Sequence, residues 1–402
     1  MRVKRTHSSW LSLGAVAMIA ACSAANSGAT LSDDGNKGNG GEGGAEPTTN
    51  TATVSSGFDP TGGGSDGSLC DSGPNDDEDK DGFTPSEGDC NDCDPNMNPG
   101  AVEVPTADGE TPADENCNDL EDEPPALCDA NLALEDTDPM NGARALNLCD
   151  QTSANEKTFG VISAAYVRAD GSAASPGVQV GLLDGFGPNV SPRAGDRLLV
   201  LSSGHARTAN QPDACGTLSC YGSGQGVPPP GFPQDVPSCT GATDINDDIA
   251  LQLQLRAPTN AKGYSFDFSF YSFEYPEWVC TSFNDQFIAL VTPAPMGAIN
   301  GNISFDSQNN PVSVNIAFFD VCPGCPLGDA ELQGTGFDIW NDAGATSWLT
   351  TSAPVEAGSE FSIRFATWDT GDQAWDSTVL IDNFQWIADA GTISVGTIPT
   401  PK

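Results

Sequence analysis

Histidine is nearly absent from this chain: its 402 residues include two, His7 and His205. A zinc centre built from several histidines is therefore excluded. A serine or cysteine triad would have to use His205, and nothing in Leu201-Ser202-Ser203-Gly204-His205 positions it for that work. Basic residues are scarce too, 15 against 56 acidic ones, for a formal net charge of −41. A surface that anionic repels phosphate backbones, so nucleic acid is not an expected partner. No stretch of a dozen residues shows a capped apolar period of 3.6, which removes folds built on long amphipathic helices. The 38% of apolar residues suffices for one good core and is thin for two.

What is present begins with an export signal. Arg2, Lys4 and Arg5 precede an apolar run from Leu11 to Ala21, too short to span a bilayer permanently. The run closes as Ile19-Ala20-Ala21-Cys22, which resembles the lipobox of bacterial lipoproteins. That resemblance makes 1–21 a signal peptide and Cys22 the lipidated first residue of the mature protein. The competing reading is ordinary secretion with cleavage after a small residue. Several acyl chains on one cysteine would anchor the protein stably, giving a membrane contact through the N-terminal lipid.

Cysteine parity agrees with export. Of 13 cysteines, setting Cys22 aside leaves two groups: Cys70, Cys90, Cys93, Cys117, Cys128 and Cys149, then Cys215, Cys220, Cys239, Cys280, Cys322 and Cys325. Two even sets read as two separately stapled halves in an oxidising compartment, with the pairing inside each set left open. Cys322-Pro323-Gly324-Cys325 has redox-motif spacing, but without a βαβ context it reads as structural.

Residues 22–69 are Gly-, Ser- and Thr-rich and cannot bury enough surface to offset their ordering entropy. They are expected to form a disordered tether spanning roughly 40 Å root-mean-square. Gly63-Gly64-Ser65-Asp66-Gly67 fits a nucleophile elbow by letter only, since no strand precedes it.

Residues 70–150 form a Cys-rich acidic module. Between Asp71 and Glu123 lie 19 carboxylates and one lysine, Lys80. Two carboxylates about 5 Å apart repel by roughly 3 kcal/mol at an effective dielectric near 20, so the segment is either disordered or neutralised by cations. The order of residues favours cations. Asp77, Asp79 and Asp81 fall at alternate positions, Gly82 allows a sharp turn, and Phe83 can offer its carbonyl, as in EF-hand-type loops. Gly88 stands where an EF-hand has its closing glutamate, so Asp89 is the expected closing ligand. Asn91, Asp92 and Asp94 begin a second oxygen cluster, and Asn116-Cys117-Asn118-Asp119 with Asp122-Glu123 offers a third, in which Asn116, Asn118 and Asp122 are the expected ligands. An all-oxygen ligand set selects Ca²⁺ as the expected cofactor.

Asp-x-Asp-Gly-Phe, Gly-Asp-Cys-Asn-Asp, Asp94 to Glu103 and Asn116-Cys117-Asn118 together resemble the metal-binding motif of the copper-binding surface protein MopE, and are similar to thrombospondin type 3 calcium repeats. Copper does not carry over, because the segment has no His or Trp to bind it.

From 151 to 392 the pattern is short strands of period two, followed by a tail, 393–402. Tyr264, Phe266, Phe268 and Phe270 alternate with Ser265, Asp267 and Ser269, which predicts a half-buried strand. Ile249, Leu251, Leu253 and Leu255 repeat this, as do Phe361, Ile363 and Phe365. Further strands are predicted at Gly160–Val167, Arg197–Leu201, Phe287–Val291, Val312–Phe318 and Thr378–Phe384. The expected fold is mainly β, an antiparallel, jelly-roll-like β-sandwich preceded by an irregular, disulfide- and calcium-stabilised module.

Phe268 to Trp278, Asn284 to Phe287, Asn302 to Asp306, Gly344 to Leu349, Trp368 to Asp372 and Asp376 to Phe384 resemble, in order, the choice-of-anchor L family of bacterial surface proteins. The resemblance implies an extracellular domain displayed at the cell envelope, here with a lipid as the anchor and the outer membrane as the expected site. It implies no established activity. Glu274, Asn284, Asp285, Asp376 and Asp382 sit where strands meet loops and are candidates for a further calcium site, against the plainer reading of turn chemistry. Trp278, Trp340 and Trp375 are candidates for stacking on sugar rings, while Trp348, Trp368 and Trp386 read as core. The expected function is a non-enzymatic surface or adhesion module for a glycan or protein ligand. The alternatives are a glycoside-active enzyme using a carboxylate pair, and a coat protein with no small ligand.

Overall fold

The computed structural model describes residues 72–400, apart from 317 and 390. The leader, Cys22, Cys70 and the expected tether lie outside the described residues. The strands are β1 (Gly160–Val167), β2 (Val180–Leu183), β3 (Leu198–Ser202), β4 (Ile245–Arg256), β5 (Gly263–Ser272), β6 (Gln286–Thr292), β7 (Val312–Ser313), β8 (Gly344–Ala345), β9 (Leu349–Pro354), β10 (Glu360–Thr370), β11 (Ser377–Ile387) and β12 (Gly396–Pro399). One sheet runs β1-β4-β10-β6-β7; the other runs β12-β9-β5-β11-β3-β2, with β8 beside β5. All strand pairings within the sheets are antiparallel. From β4 to β6, and again from β9 to β11, each successive strand changes sheet, as expected of a jelly-roll-like sandwich.

The alternating aromatics of β5 bind the sheets together. The Phe266 ring meets Phe365 of β10 at 4.9 Å, Phe268 meets Phe287 of β6 at 4.9 Å, and Tyr264 stacks on Phe361 at 5.2 Å. Each buried ring of this size contributes about 1.5–3 kcal/mol by leaving water.

The outward face of β5 is not solvated, which corrects the half-buried expectation: Asp267, Ser269 and Tyr271 are buried as well. Two further apolar clusters lie outside the sheets, the one with Tyr271 on the β5 side and the other on the opposite sheet. One joins Tyr271, Phe186, Leu332, Phe337 and Leu380, and the other joins Trp368, Phe232, Ile245 and Ile288. Long connections thus fold back over both sheets. The strand expected over Val312–Phe318 pairs only at Val312–Ser313. Beyond Ser313 the chain turns, Ile316 N–H bonding the Ser313 carbonyl at 3.2 Å, and the Asn315 side chain takes the Cys280 N–H.

Residues 72–150 contain a 3₁₀ turn at Pro85–Glu87 and one short helix, α1 (Pro139–Arg144), with Asp138 as N-cap to Met140 and Pro139 in the first turn. The Thr259 hydroxyl donates to Asn98 Oδ1 (2.8 Å), and Asn260 exchanges two hydrogen bonds with the Val102 backbone. Leu146 and Leu148 belong to the main core of the sandwich. Packing therefore runs across residue 150, although the stapled stretch ends there. The disulfides Cys90–Cys117, Cys128–Cys149, Cys215–Cys220, Cys239–Cys280 and Cys322–Cys325 each stay within their expected half, and Cys93 is disulfide-bonded too.

Candidate metal sites

The acidic loop is built from Asx turns. Asp79 Oδ1 accepts the Asp81 N–H (3.1 Å), Asp81 Oδ1 the Phe83 N–H (2.7 Å), and Asp89 Oδ1 the Asn91 N–H (2.8 Å). Asp92 Oδ1 receives the Glu78 N–H across the loop (3.1 Å). Each bond fixes one carboxylate oxygen and turns the other inward. The second oxygens of Asp79, Asp81, Asp89 and Asp92 are buried and receive no hydrogen bond. Carboxylate oxygens of Asp77, Asp79 and Asp81 lie within 4.8 Å of one another, and so do those of Asp79, Asp89 and Asp92. Asp79 is shared by both groups. Gly82, at φ +98°, makes the turn between them in a left-handed conformation that L side chains rarely adopt.

The electrostatics follow from this crowding. Burial pushes the Asp81 carboxyl up to about 6, against the pull of the Phe83 N–H, and repulsion from Asp79 and Asp89 adds to it. Asp79 and Asp89 are raised as well, chiefly by burial. The nearby Lys157 is spent elsewhere, paired with Glu87 at 2.7 Å and set over the Phe83 ring. Phe83 packs its side chain inward, while Asp94 closes its own turn onto Asn96 at 3.1 Å.

At the third cluster the structure regroups the residues. Asn116 and Asn118 both donate to Glu123 Oε1, leaving Asn116 Oδ1 and Glu123 Oε2 buried without a partner. Asp122 turns away and accepts from the Thr106 N–H and hydroxyl, both at 2.9 Å. Glu103 braces this cluster by accepting the Asn116 and Asp122 N–H groups. Of the two acids the sequence offered here, Asp122 and Glu123, the acceptor is Glu123.

The acids proposed for the sandwich divide. Glu274 follows β5, Asp285 precedes β6 and Asp376 precedes β11; all three are buried together, joined by Asp369 of β10. Asp285 Oδ1 accepts the Thr370 N–H (2.8 Å) and Oδ2 the Ser377 hydroxyl (2.6 Å). Burial pushes Asp285 up to about 7 and Asp376 up to about 8, the latter with repulsion from Asp285 and Asp247. Glu274 and Asp369 are held well above the usual carboxylate range, again first by burial and then by Asp285. Asp382 is engaged elsewhere: it accepts the Arg193 N–H at 2.6 Å, beside Asp267, which pairs with Arg193 Nε at 3.2 Å. The missed residue is Asp369. The inward parity of Phe361, Ile363 and Phe365 extends to it, so alternation alone could have found it. Cys215 and Cys220 lie beside Asp376, but their sulfurs are joined in a disulfide.

Of the tryptophans, Trp278 and Trp375 meet edge to face at 5.4 Å, and Trp340 is 47% exposed after the 3₁₀ turn Phe337–Ile339. Trp368 is fully buried; Trp348 and Trp386 pack against the clusters. Among the described residues no helix is long and apolar enough to cross a membrane.

No curated protein matches the chain. The model of the choice-of-anchor L domain matches residues 165–385, more than half of the sequence and all but one of the long strands that carry the core. The chain belongs to the choice-of-anchor L family and is a cell-surface protein of a kind defined by display rather than by catalysis.

Proposed function

We propose that this surface protein is a calcium-loaded binding module, lipid-anchored through Cys22 to the bacterial outer membrane. The calcium ions stand in for the apolar core that segment 77–123 lacks. The observation carrying this reading is the set of buried, unpartnered oxygens on Asp79, Asp81, Asp89 and Asp92. A carboxylate oxygen withdrawn from water without a donor costs several kcal/mol, and a cation is the partner that accepts several at once. An irregular array of carboxylates and amide oxygens suits calcium, which takes 6–8 oxygen ligands, better than magnesium with its strict octahedron. The Cys90–Cys117 disulfide ties the second cluster to the third, so the loops are held for the ion.

The sandwich is the binding part. A cavity of about 310 Å³ is lined by Asn189, Arg193, Glu331, Ser347 and Trp348 among others, with the Arg193 guanidinium set over the Trp348 ring at 6.0 Å, and it offers donors and acceptors suited to a glycan. The glycosidase alternative is disfavoured by burial: Glu274, Asp285, Asp369 and Asp376 are at most 4% exposed, so a sugar has no route to them.

The test is calcium counted by atomic emission on the mature chain after dialysis, with and without Asp79→Asn and Asp89→Asn. Bound calcium that falls in the double variant supports the reading, and a calcium-free wild-type chain refutes it. A glycan array on the same protein tests the cavity; a blank array would favour the coat-protein alternative.

A further inference from the structure

We propose that calcium loading latches the acidic loop onto the sandwich, through Phe83 and Asn98 on the loop side and Lys157, Thr259 and Asn260 on the other. The proposal rests on the calcium reading of the loop and adds a regulation to it. The ion sets whether segment 77–123 is docked, not only whether it is ordered.

The contact is made by few residues, placed beside candidate ligands. Asp81 Oδ1 takes the Phe83 N–H at 2.7 Å and so aims a side chain that is 5% exposed. The Lys157 ammonium sits over that ring, 5.3 Å from its centre, and also bonds the Gly82 carbonyl at 2.6 Å. A Cβ on Gly100 would meet Phe83 Cε2 at 2.9 Å and Thr259 Cγ2 at 3.0 Å, so glycine lets the ring and the β4–β5 turn close on one another. Asn98, fully buried, works at both ends. Its Oδ1 takes the Thr259 hydroxyl (2.8 Å) and the Gly100 N–H (2.9 Å), and its side chain pulls the Asp81 carboxyl toward the charged form. The Thr259 N–H donates to the Gly100 carbonyl at 2.9 Å. Asn260, 5% exposed, bonds the Val102 N–H at 3.0 Å and the Val102 carbonyl at 2.7 Å.

Without a cation, repulsion among the loop carboxylates opposes the turn that aims Phe83; a bound ion fixes that turn and presents Phe83 and Asn98 together. Residues 128–150 stay behind on release, because Leu146 and Leu148 lie in the main core and Cys128–Cys149 closes that stretch. Coupling of this kind is reciprocal: docking strengthens calcium binding by the factor by which calcium strengthens docking.

Two measurements on the full mature chain at pH 7 test the latch. The first is hydrogen exchange, resolved to single amides by mass spectrometry. The Thr259 N–H has its acceptor in the loop, whereas Ala257 and Lys262 donate to Ser359 and Ile387 of the sandwich. Chelation is expected to speed exchange at Thr259 at least about tenfold and to leave Ala257 and Lys262 unchanged. The second is calorimetric titration of Asn260→Ala, a variant at a residue with no hydrogen bond to any candidate ligand. It is expected to bind calcium about fivefold or more weakly than the wild type. Thr259 exchange that is equal in both buffers, in a chain that binds calcium, overturns the latch and leaves the calcium loop standing. Equal acceleration at all three amides also overturns it, since that reports melting of the turn. So does an unchanged affinity in a folded Asn260→Ala chain; where that variant does not fold, the wild-type exchange decides. A wild-type chain that binds no calcium overturns the latch and the calcium reading together.

Discussion

At the scale of single residues, Asp79 carries the most weight, because it alone belongs to both carboxylate groups of the acidic loop. Asp79→Asn is expected to weaken calcium binding about tenfold or more in calorimetric titration. Glu110→Gln, at an exposed acid outside the clusters, should leave it unchanged. Equal effects from the two substitutions would mean that net charge, not geometry, attracts the ion. Protons give a second check with a definite sign. An unfolded aspartate titrates near 3.9, roughly two units below the folded value of about 6 for Asp81. Between those values the chelated folded chain holds a proton that the unfolded chain does not, so acidification from pH 7 toward 4 stabilises the chelated protein. The raised carboxyls of Asp285 and Asp376 act in the same direction over a higher window. With calcium bound the sign reverses for the ligands, because protons compete for the same oxygens. Melting temperatures at pH 7 and 5 should rise on acidification in chelator and fall in calcium; parallel shifts in both buffers would contradict this.

At the scale of elements, β5 organises the molecule. Phe268 touches Phe287 across the sheets and Phe266 along its own strand. Truncating it to alanine is expected to cost about 3–5 kcal/mol in denaturant unfolding measured in excess calcium. A loss below about 1 kcal/mol would mean that the inter-sheet core is not packed as described. The strands were legible in sequence because alternation of Tyr264, Phe266, Phe268 and Phe270 has one physical cause, a face turned to the opposite sheet. Which outer faces were covered was not legible. Burial of Asp267 and Ser269 depends on loops distant in sequence, and period two marks chemistry, not solvent access. The same limit explains the sites. Asx spacing reports local geometry, so Asp79, Asp81 and Asp89 were readable from Asp77 onward. Whether Asp122 or Glu123 faces inward depends on Thr106, and whether Asp382 joins Asp285 depends on Arg193.

At the scale of the whole molecule, bound calcium would keep an anionic chain compact, and a lipid at Cys22 would hold it at the surface. Cys22→Ala should move the protein from the membrane pellet to the soluble fraction of lysed cells, and retention in the pellet would argue for attachment through another segment. The central claim is that divalent ions order segment 77–123. Hydrogen exchange of those amides in the mature chain, read by mass spectrometry in calcium and in excess chelator, tests it most directly. Protection in calcium that collapses in chelator, while β5 and β10 stay protected, is the result the account predicts; equal protection of 77–123 in both buffers would contradict it.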